Sequence, residues 1–261
     1  MKAEIGIIGG TGVYDPTLLK NVKEVKMRTP YGSPSDAISI GELKGRSIAF
    51  IPRHGRKHTI RPTDINSRAN IYALKKLGVQ RILAPSAVGS LKEEYGPGDT
   101  VIVDQFIDRT TKREQSFYTG KQVCHISVAD PMCPELRDAL IKRAEEMKIR
   151  YHETGIYVCI EGPRFSTKAE SKMHRSWDAD IIGMTLVPEC VLAREAEICY
   201  ACIATVTDYD VWKDRPVNAE EVAKTMKQNI EKIKTLITET ITTLPKERKC
   251  ECGHALKSAL V

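Results

Sequence analysis

Two aspartates stand two positions apart after an apolar run, in the segment Thr-Val-Thr-Asp-Tyr-Asp of residues 205–210. If the run is a strand that continues through them, Asp208 and Asp210 point to the same face. Partial burial raises the pKa of a carboxyl group, which can then carry a proton near neutral pH. Such a group can protonate the leaving group of a breaking bond. A solvated turn with two acids explains the same pattern, and this segment alone leaves both interpretations open.

A second segment, Gly-Gly-Thr-Gly at positions 9–12, follows another apolar run. Its glycines let backbone N–H groups approach an anion, and Thr11 adds a hydroxyl donor. The dinucleotide-binding pattern G-x-G-x-x-G does not fit, because Asp15 takes the place of the third glycine, and the lysine of a P-loop is absent. A tight turn explains this short motif as well as a phosphate loop does.

A third segment, Pro-Arg-His-Gly at positions 52–55, carries positive charge. Arg53 offers a planar fork of donors that matches phosphate, and His54 can donate a hydrogen bond or carry charge when protonated. His58 stands four residues after His54, a spacing that suits a metal pair on a helix. However, no third ligand has convincing spacing and the glycine disfavours a helix, so we expect no metal here. An exposed basic loop remains the alternative.

Three further segments carry small, hydroxyl or aromatic residues at the ends of predicted elements. Ser86 and Ala87 follow a buried strand, and Ser86 is interpreted as a binding hydroxyl because the nucleophile pattern G-x-S-x-G is missing. Thr185 is another candidate phosphate hydroxyl, with Met184 placed to pack against a sugar. Phe165 lies in a Gly/Pro-rich loop, where a ring can stack on a flat ligand; a core position is the alternative.

The elements that must position these residues alternate between strand and helix patterns for most of the chain. This alternation predicts an α/β fold with a mixed, largely parallel central sheet flanked by helices. In such sheets ligands bind beyond the carboxyl ends of strands, where most of these segments fall. We predict a single domain over residues 1–245 and a C-terminal extension over residues 246–261.

The composition restricts the class of protein. The chain of 261 residues is 41% hydrophobic and 28% charged, which is typical of a globular protein. It has no apolar stretch of the roughly 18 or more residues that span a bilayer, so no membrane partner is expected. The N-terminus lacks signal-peptide features, which predicts a cytoplasmic protein. The net charge of +6 is spread along the chain, and this favours small anionic substrates over nucleic acid.

Eight cysteines are present, of which six are scattered through apolar segments. The other two, Cys250 and Cys252, form a Cys-x-Cys pair in the tail, with His254 close by. A zinc knuckle or a redox pair could use such residues. The tail alone offers too few ligands for a closed structural zinc site, so no metal is expected there.

Taken in order, these segments resemble the methylthioadenosine phosphorylase branch of the trimeric purine nucleoside phosphorylase family, and archaeal members in particular. The resemblance covers nearly the whole chain and is carried by IGIIGGTGVYD, FIPRHGRKHTI, SAVGSLKEEYGPGD, QFIDRT, ADPMCPELR, IEGPRFST, GMTLVPE and ATVTDYDVWK. It implies reversible phosphorolysis of a purine nucleoside. Phosphate would be a co-substrate and no cofactor would be needed. It also implies a homotrimer or a dimer of trimers.

The resemblance also implies roles for individual residues. Asp208 would protonate N7 of the purine, Asp210 would hold the 6-amino group, Phe165 would stack on the base, and Met184 would contact the ribose. His125 would reach the site of a neighbouring subunit. The residues that would bind phosphate are Thr11, Arg53, His54, Ser86, Ala87 and Thr185.

Substrate preference follows from the same comparison. Ser166 and Asp208 stand where relatives that prefer 6-oxopurines carry Glu and Asn. Val222 stands where relatives selective for a 5′-hydroxyl carry His, and Ala219 lies one turn earlier in the same predicted helix. These positions favour 5′-methylthioadenosine. The alternatives are a phosphorylase for 6-oxopurine nucleosides, a hydrolytic nucleosidase, a Rossmann dehydrogenase and a non-catalytic nucleotide-binding regulator.

The tail resembles the Cys-x-Cys tail of heat-adapted archaeal relatives, in which such cysteines form disulfides. The resemblance therefore implies a disulfide between Cys250 and Cys252.

Overall fold

A computed structural model describes residues 1–10, 19–213 and 217–261. Within these ranges the chain builds one mixed sheet of eleven strands. The strands are β1 (Ile5–Gly9), β2 (Lys20–Val25), β3 (Ile38–Leu43), β4 (Arg46–Pro52), β5 (Arg81–Ser90), β6 (Thr100–Ile102), β7 (Gln105–Arg109), β8 (Tyr151–His152), β9 (Ile156–Ile160), β10 (Ile181–Gly183) and β11 (Cys199–Asp208).

Four of the five helices begin at residues that satisfy their first N–H groups or need no such partner. Asn66 and Asn218 each accept a hydrogen bond from the third helical residue, and Thr167 and Glu170 form a reciprocal capping box. One helix begins at Pro134, whose missing N–H costs nothing at a first position. The helices are α1 (Ser67–Lys76), α2 (Pro134–Glu146), α3 (Lys168–Ser176), α4 (Leu186–Glu195) and α5 (Ala219–Thr243).

The centre of the sheet is parallel. β4, β1, β5 and β11 lie side by side in the same direction. The second half of β5, beyond its pairing with β1, pairs with β10 in the antiparallel direction. The sheet then continues from β10 to β9 and β7. The register of β5 and β11 shifts between Val206 and Asp208, a local irregularity that places Asp208 opposite Gly89. Such bulges re-aim the side chains that follow them.

Helices cover both faces of this sheet. α1 and α4 pack together, as do α2 and α5, and two large clusters of buried apolar side chains fill the spaces beneath them. A parallel strand that is covered on both faces must be apolar throughout, and β1, β5 and β11 are almost wholly buried. The predicted α/β architecture is confirmed.

The segment at residues 100–109 forms two strands with different neighbours, since β6 pairs with β11 and β8 while β7 pairs with β9. The polar tail docks on the body of the protein: Arg81 donates to the carbonyls of Lys246 and Glu247, and Cys252 is buried. In the described ranges, no helix is both long and apolar enough to cross a membrane.

Candidate active site

Arg53, one of the predicted phosphate residues, follows the last residue of β4 and contacts both neighbouring segments. The backbone N–H of Arg53 donates to Gly9, and its guanidinium donates to the carbonyls of Ile8 and Pro85. These contacts join the end of β4 to β1 and to β5, the strand that carries Ser86. Thr11 itself lies outside the described residues, so its role stays a prediction.

The guanidinium of Arg53 is already paired. It forms two hydrogen bonds of 2.9 and 2.8 Å with the carboxylate of Glu189 on α4, and both side chains are almost fully buried. With the two carbonyl contacts, four of its five N–H donors are used, which leaves one on Nη1. The guanidinium fork is thus largely occupied, and one N–H donor remains for a ligand. The role of Arg53 in phosphate binding stays a prediction.

His54 follows Arg53 and is also buried. Its Nδ1 lies 2.9 Å from the carbonyl of Ile60, and its ring stacks on His58 with centroids 4.5 Å apart. Burial lowers the pKa of His54 to about 4, partly offset by the Ile60 hydrogen bond, while the charge of Arg53 lowers it further. The ring is therefore neutral near neutral pH. With Nδ1–H held by a carbonyl, Nε2 presents a lone pair that can accept a hydrogen bond from a protonated phosphate oxygen.

The hydroxyls of Ser86 and Thr185 lie 3.1 Å apart, although they are 99 residues apart in sequence. The Tyr157 hydroxyl lies 3.3 Å from Ser86 Oγ and accepts from the backbone N–H of Thr185. Thr185 immediately precedes α4, and its side chain does not cap that helix. Its hydroxyl is therefore available to a ligand. Ala87, next on β5, is half-buried beside this pair.

Met184 lies against the loop that begins at Glu161. A side-chain carbon added at Gly162 would come within 2.6 Å of the Met184 sulfur, and the left-handed φ of 68° at this position also favours glycine. Arg113 joins the same two segments, because its guanidinium donates to the carbonyls of Met184, Val187 and Glu161. The predicted sugar contact is thus fixed in position by a buried arginine that sequence reasoning missed.

Glu161 anchors the other side of this loop. Its carboxylate accepts from Arg113, from the backbone N–H groups of Thr111 and Lys112, and from the Thr63 hydroxyl. Burial opposes ionisation, but these donors lower the pKa of Glu161 to about 2. The glutamate therefore stays charged, and its role is to hold the loop.

The first predicted acid, Asp208, ends β11 directly above Gly89. A side-chain carbon at Gly89 would lie 2.8 Å from Asp208 Oδ1. That oxygen accepts from the backbone N–H of Asp210, and Oδ2 accepts from the Thr207 hydroxyl at 2.6 Å. Burial raises the pKa of Asp208, these two donors oppose the rise, and the Asp210 charge adds to it. Asp208 is thus a fixed carboxyl with increased affinity for a proton.

The second acid, Asp210, is 4% exposed and stands at a left-handed backbone position, with φ of 47°. Burial raises its pKa, while the nearby hydroxyls of Ser171 and Ser166 and the His174 ring favour the charged form. Four buried polar atoms here nevertheless lack a hydrogen-bond partner of good geometry among the described residues: Asp210 Oδ2, Ser166 Oγ, Ser171 Oγ and His174 Nδ1. Buried polar groups are rarely left unsatisfied, so this set is suited to the polar edge of a ligand.

A cavity of about 230 Å³ opens beside this polar set. Ser166 and His174 contribute to its wall together with the loop of Glu161 and Gly162. Phe165 is 38% exposed, so the alternative of a core position is wrong for this ring. An exposed ring next to a cavity is available to stack on a ligand, but its role there stays a prediction.

The remaining predicted residues lie at the margins. Ala219 is exposed at the first position of α5 and Val222 is half-buried one turn later. Their roles in substrate preference stay predictions. His125 is exposed, and its backbone N–H donates to Ala259. Its role in the site of a neighbouring subunit stays a prediction.

Among the described residues, the histidines of this site do not belong to any group of ligands that could hold a metal. One such group exists, and it consists of four cysteines elsewhere.

The residues that sequence reasoning missed are Glu189, Tyr157, Arg113, Ser171 and His174. Ser171 and His174 share one face of α3 at helical spacing, a signal that a sequence can carry. The others reveal themselves only through contacts between distant segments.

Comparisons with known sequences and structures point to one family. Residues 4–242 match the family model of the phosphorylase superfamily. The chain is 58% identical over its full length to S-methyl-5′-thioadenosine phosphorylase of Thermofilum pendens, covering 99% of that protein. It is 59% identical to the enzyme of that name from Nitrosopumilus maritimus, with 98% of this chain and 97% of the relative covered.

Solved structures give the same result. A methylthioadenosine phosphorylase from an antarctic soil metagenomic library superposes with a TM-score of 0.95 at 46% identity, covering 100% of this chain and 93% of that one. Methylthioadenosine phosphorylase from Schistosoma mansoni in complex with adenine gives a TM-score of 0.93 at 38% identity, with 98% and 97% covered. The chain therefore belongs to the phosphorylase superfamily, within its branch of methylthioadenosine and purine nucleoside phosphorylases.

Proposed function

We propose that this enzyme catalyses the reversible phosphorolysis of 5′-methylthioadenosine to adenine and 5-methylthioribose 1-phosphate. The observation that carries the proposal is the pairing of two fixed carboxyls, Asp208 and Asp210, with an unsatisfied polar set beside a cavity. The hydroxyl pair of Ser86 and Thr185 supplies a separate place for an anion. Full-length identity of 58% to an S-methyl-5′-thioadenosine phosphorylase supports the choice of substrate.

In the proposed reaction, the bond between C1′ of the sugar and N9 of the purine breaks and its electron pair moves to the base. A phosphate oxygen then forms the new bond to C1′. Positive charge develops on the sugar and negative charge on the departing purine. The protein accelerates this step by positioning both partners and by stabilising the developing charges.

Asp208 is the proposed proton donor to N7 of the purine. Its raised pKa increases the fraction that carries a proton, and its contacts with Thr207 and the Asp210 N–H fix its orientation. Protonation at N7 neutralises the leaving base. A positioned acid of this kind contributes a factor of about 10² to 10⁴ in rate.

At the phosphate end, we propose that Thr11, Ser86 and Thr185 donate hydroxyl hydrogen bonds and that Ala87 contributes backbone contact. Arg53 supplies positive charge at close range while Glu189 holds it in place. Neutral His54 accepts a hydrogen bond from a protonated oxygen of the bound phosphate at Nε2. This arrangement binds an anion beside the sugar without a cofactor or a metal ion.

At the base, Asp210 Oδ2 accepts from the 6-amino group and Ser166 Oγ completes the polar edge. Phe165 stacks on the ring, Met184 contacts the ribose, and Val222 with Ala219 lines the space for the methylthio group. The second candidate is a preference for 6-oxopurine nucleosides. The raised pKa of Asp210 favours it, because a protonated carboxyl can donate to a 6-oxo group.

We further propose a homotrimer or a dimer of trimers, in which His125 enters the site of a neighbouring chain. The exposed side chains of Val123, Leu260 and Val261 lie on the same segment and on the C-terminus that pairs with it. Exposed apolar groups of this kind mark contact surfaces. Mixing His125→Ala chains with Asp208→Asn chains should restore activity, because a hybrid oligomer then contains sites with both residues intact. Hybrid oligomers that form but show no restored activity would contradict a shared site.

We propose a cytoplasmic location, to be checked by cell fractionation.

The substrate is tested with methylthioadenosine, methylthioinosine, adenosine, inosine and guanosine, each assayed with and without phosphate. We expect methylthioadenosine to have the highest kcat/KM, and only when phosphate is present. Turnover confined to the 6-oxo substrates would support the second candidate and refute the proposed role of Asp210.

A further inference from the structure

Four cysteines from three separate segments meet at the end of the sheet opposite the active site. Cys133 precedes α2, Cys199 is the first residue of β11, and Cys250 and Cys252 lie in the docked tail. Their four Sγ atoms all lie within 4.8 Å of one another. Three of these side chains are buried and Cys250 is half-buried. All eight cysteines of the chain are described, and each is a free thiol, so the expected Cys250–Cys252 disulfide is not formed.

The spacing of these sulfurs matches a tetrahedron around a metal ion. Zinc binds thiolates at about 2.3 Å, so two sulfurs of a regular tetrahedron lie about 3.8 Å apart. Cys133 Sγ and Cys250 Sγ are 3.7 Å apart, and Cys199 Sγ and Cys250 Sγ are 3.3 Å apart. Both distances lie within about 0.5 Å of the tetrahedral spacing, and the half-buried position of Cys250 leaves it room to adjust.

The surroundings also suit a negatively charged cluster. Zinc with four thiolates carries a net charge of −2. Arg194 Nη1 lies 3.7 Å from Cys252 Sγ, and Arg248 Nη1 lies 3.9 Å from Cys199 Sγ. Two guanidinium groups that donate to the sulfurs would offset this charge. Donors of this type around metal ligands orient them and tune the site.

We propose that Cys133, Cys199, Cys250 and Cys252 bind one structural zinc ion. The four thiols release their protons to solvent as four Zn–S bonds form, with no change of oxidation state. All four positions are filled by protein, so the site is closed and takes no part in the reaction. The tail alone offers two cysteines; Cys133 and Cys199 complete the set only because the fold brings them to it.

The proposed role is to fasten the tail to the body. The site joins residues 51 and 117 positions apart along the chain, so it closes long loops. β11 runs from Cys199 to Asp208, and nine steps of about 3.3 Å separate the two by roughly 30 Å. Loss of zinc is therefore expected to reduce thermal stability while leaving kcat/KM at low temperature almost unchanged.

The test uses the full chain, expressed without a metal-binding tag in zinc-containing medium and purified in reductant without chelator. We expect about one zinc per chain by elemental mass spectrometry. Replacement by Co²⁺ should give thiolate charge-transfer absorption in the near ultraviolet and tetrahedral d–d bands in the visible. The zinc-loaded protein should unfold roughly 5–10 °C above the chelated protein under the same reductant.

Cys250→Ser and Cys252→Ser should each lose the zinc and the stabilisation that zinc confers. Cys124→Ser is the matched control, because Cys124 lies outside the cluster, and it should keep both. If a cluster variant fails to fold, the cobalt spectrum and the loaded-versus-chelated comparison of the unaltered chain still decide the matter. Three results would each overturn the proposal. They are zinc well below one ion per chain after reconstitution, a cobalt spectrum without thiolate bands, and a molecular mass of the freshly purified protein that corresponds to two disulfides.

Discussion

Replacing Gly89 by alanine tests whether the position of Asp208 sets the rate. A carbon added at Gly89 would lie 2.8 Å from Asp208 Oδ1 and 3.3 Å from the backbone nitrogen of Asp210. Ordinary contact begins near 3.4 Å, so the carboxyl group must retreat by about 0.6 Å. The hydrogen bond that fixes Oδ1 to the Asp210 N–H lies on the same side and is disturbed with it.

The expected cost follows from this displacement. A misplacement of about 1 Å can lower a rate by about 10², so we expect kcat/KM to fall by about 10- to 100-fold, or about 1.4–2.7 kcal/mol. Overpacking also costs about 1–3 kcal/mol of stability, so the protein should remain folded at the assay temperature. Gly120→Ala is the control, because an added carbon there meets nothing within 4 Å.

The assay compares two leaving groups. Methylthioadenosine needs a proton at N7 in this account, whereas a nucleoside already methylated at N7 does not. Gly89→Ala should therefore slow the first substrate much more than the second. A folded variant with unchanged kcat/KM, or one that slows both substrates equally, would refute the argument that Asp208 acts as a positioned acid.

Three other variants and one control test separate parts of the account. Asp208→Asn should lower kcat/KM for methylthioadenosine by about 10² to 10⁴ with little change in Tm, and a loss of affinity alone would instead indicate a binding protein. Arg53→Gln leaves Glu189 buried and unpaired, so it should cost about 3–5 kcal/mol and lower Tm by roughly 6–20 °C. Arg61→Gln is the control, because it removes an exposed ion pair with Asp64 and should change Tm hardly at all. Equal shifts of Tm in the two arginine variants would contradict the role of the buried pair. The pKa of Glu161 is about 2 in the folded protein against an ordinary value of 4.5. The ionised carboxylate therefore stabilises the folded state fully above pH 4.5, and this contribution is lost as pH falls towards 2. Glu161→Gln should thus flatten the dependence of Tm on pH over that window, and an unchanged dependence would contradict the assignment.

The architecture and the acids were accessible from sequence because their signals are local. Alternating strand and helix patterns predict the layered sheet, and a short apolar run followed by Asp208 and Asp210 predicts two carboxyls at a strand end. Ser86 and Thr185 were each assigned from their own segments, and the structure brings their hydroxyls together.

The electrostatic partners were not accessible, because they depend on contacts between distant segments. Glu189 lies 136 residues from Arg53, and nothing near Arg53 indicates that a carboxylate will occupy its guanidinium. Arg113 joins three segments through backbone carbonyls, which carry no sequence signal. The cysteine cluster is a similar case, since its members come from three segments that meet only after folding.

The most direct test of the central claim is the fate of methylthioadenosine with purified protein in the presence and absence of phosphate. Adenine and a pentose 1-phosphate should form in equal amounts, and adenine release should stop when phosphate is removed. Adenine release that continues without phosphate, with free methylthioribose as the second product, would show hydrolysis and contradict the account.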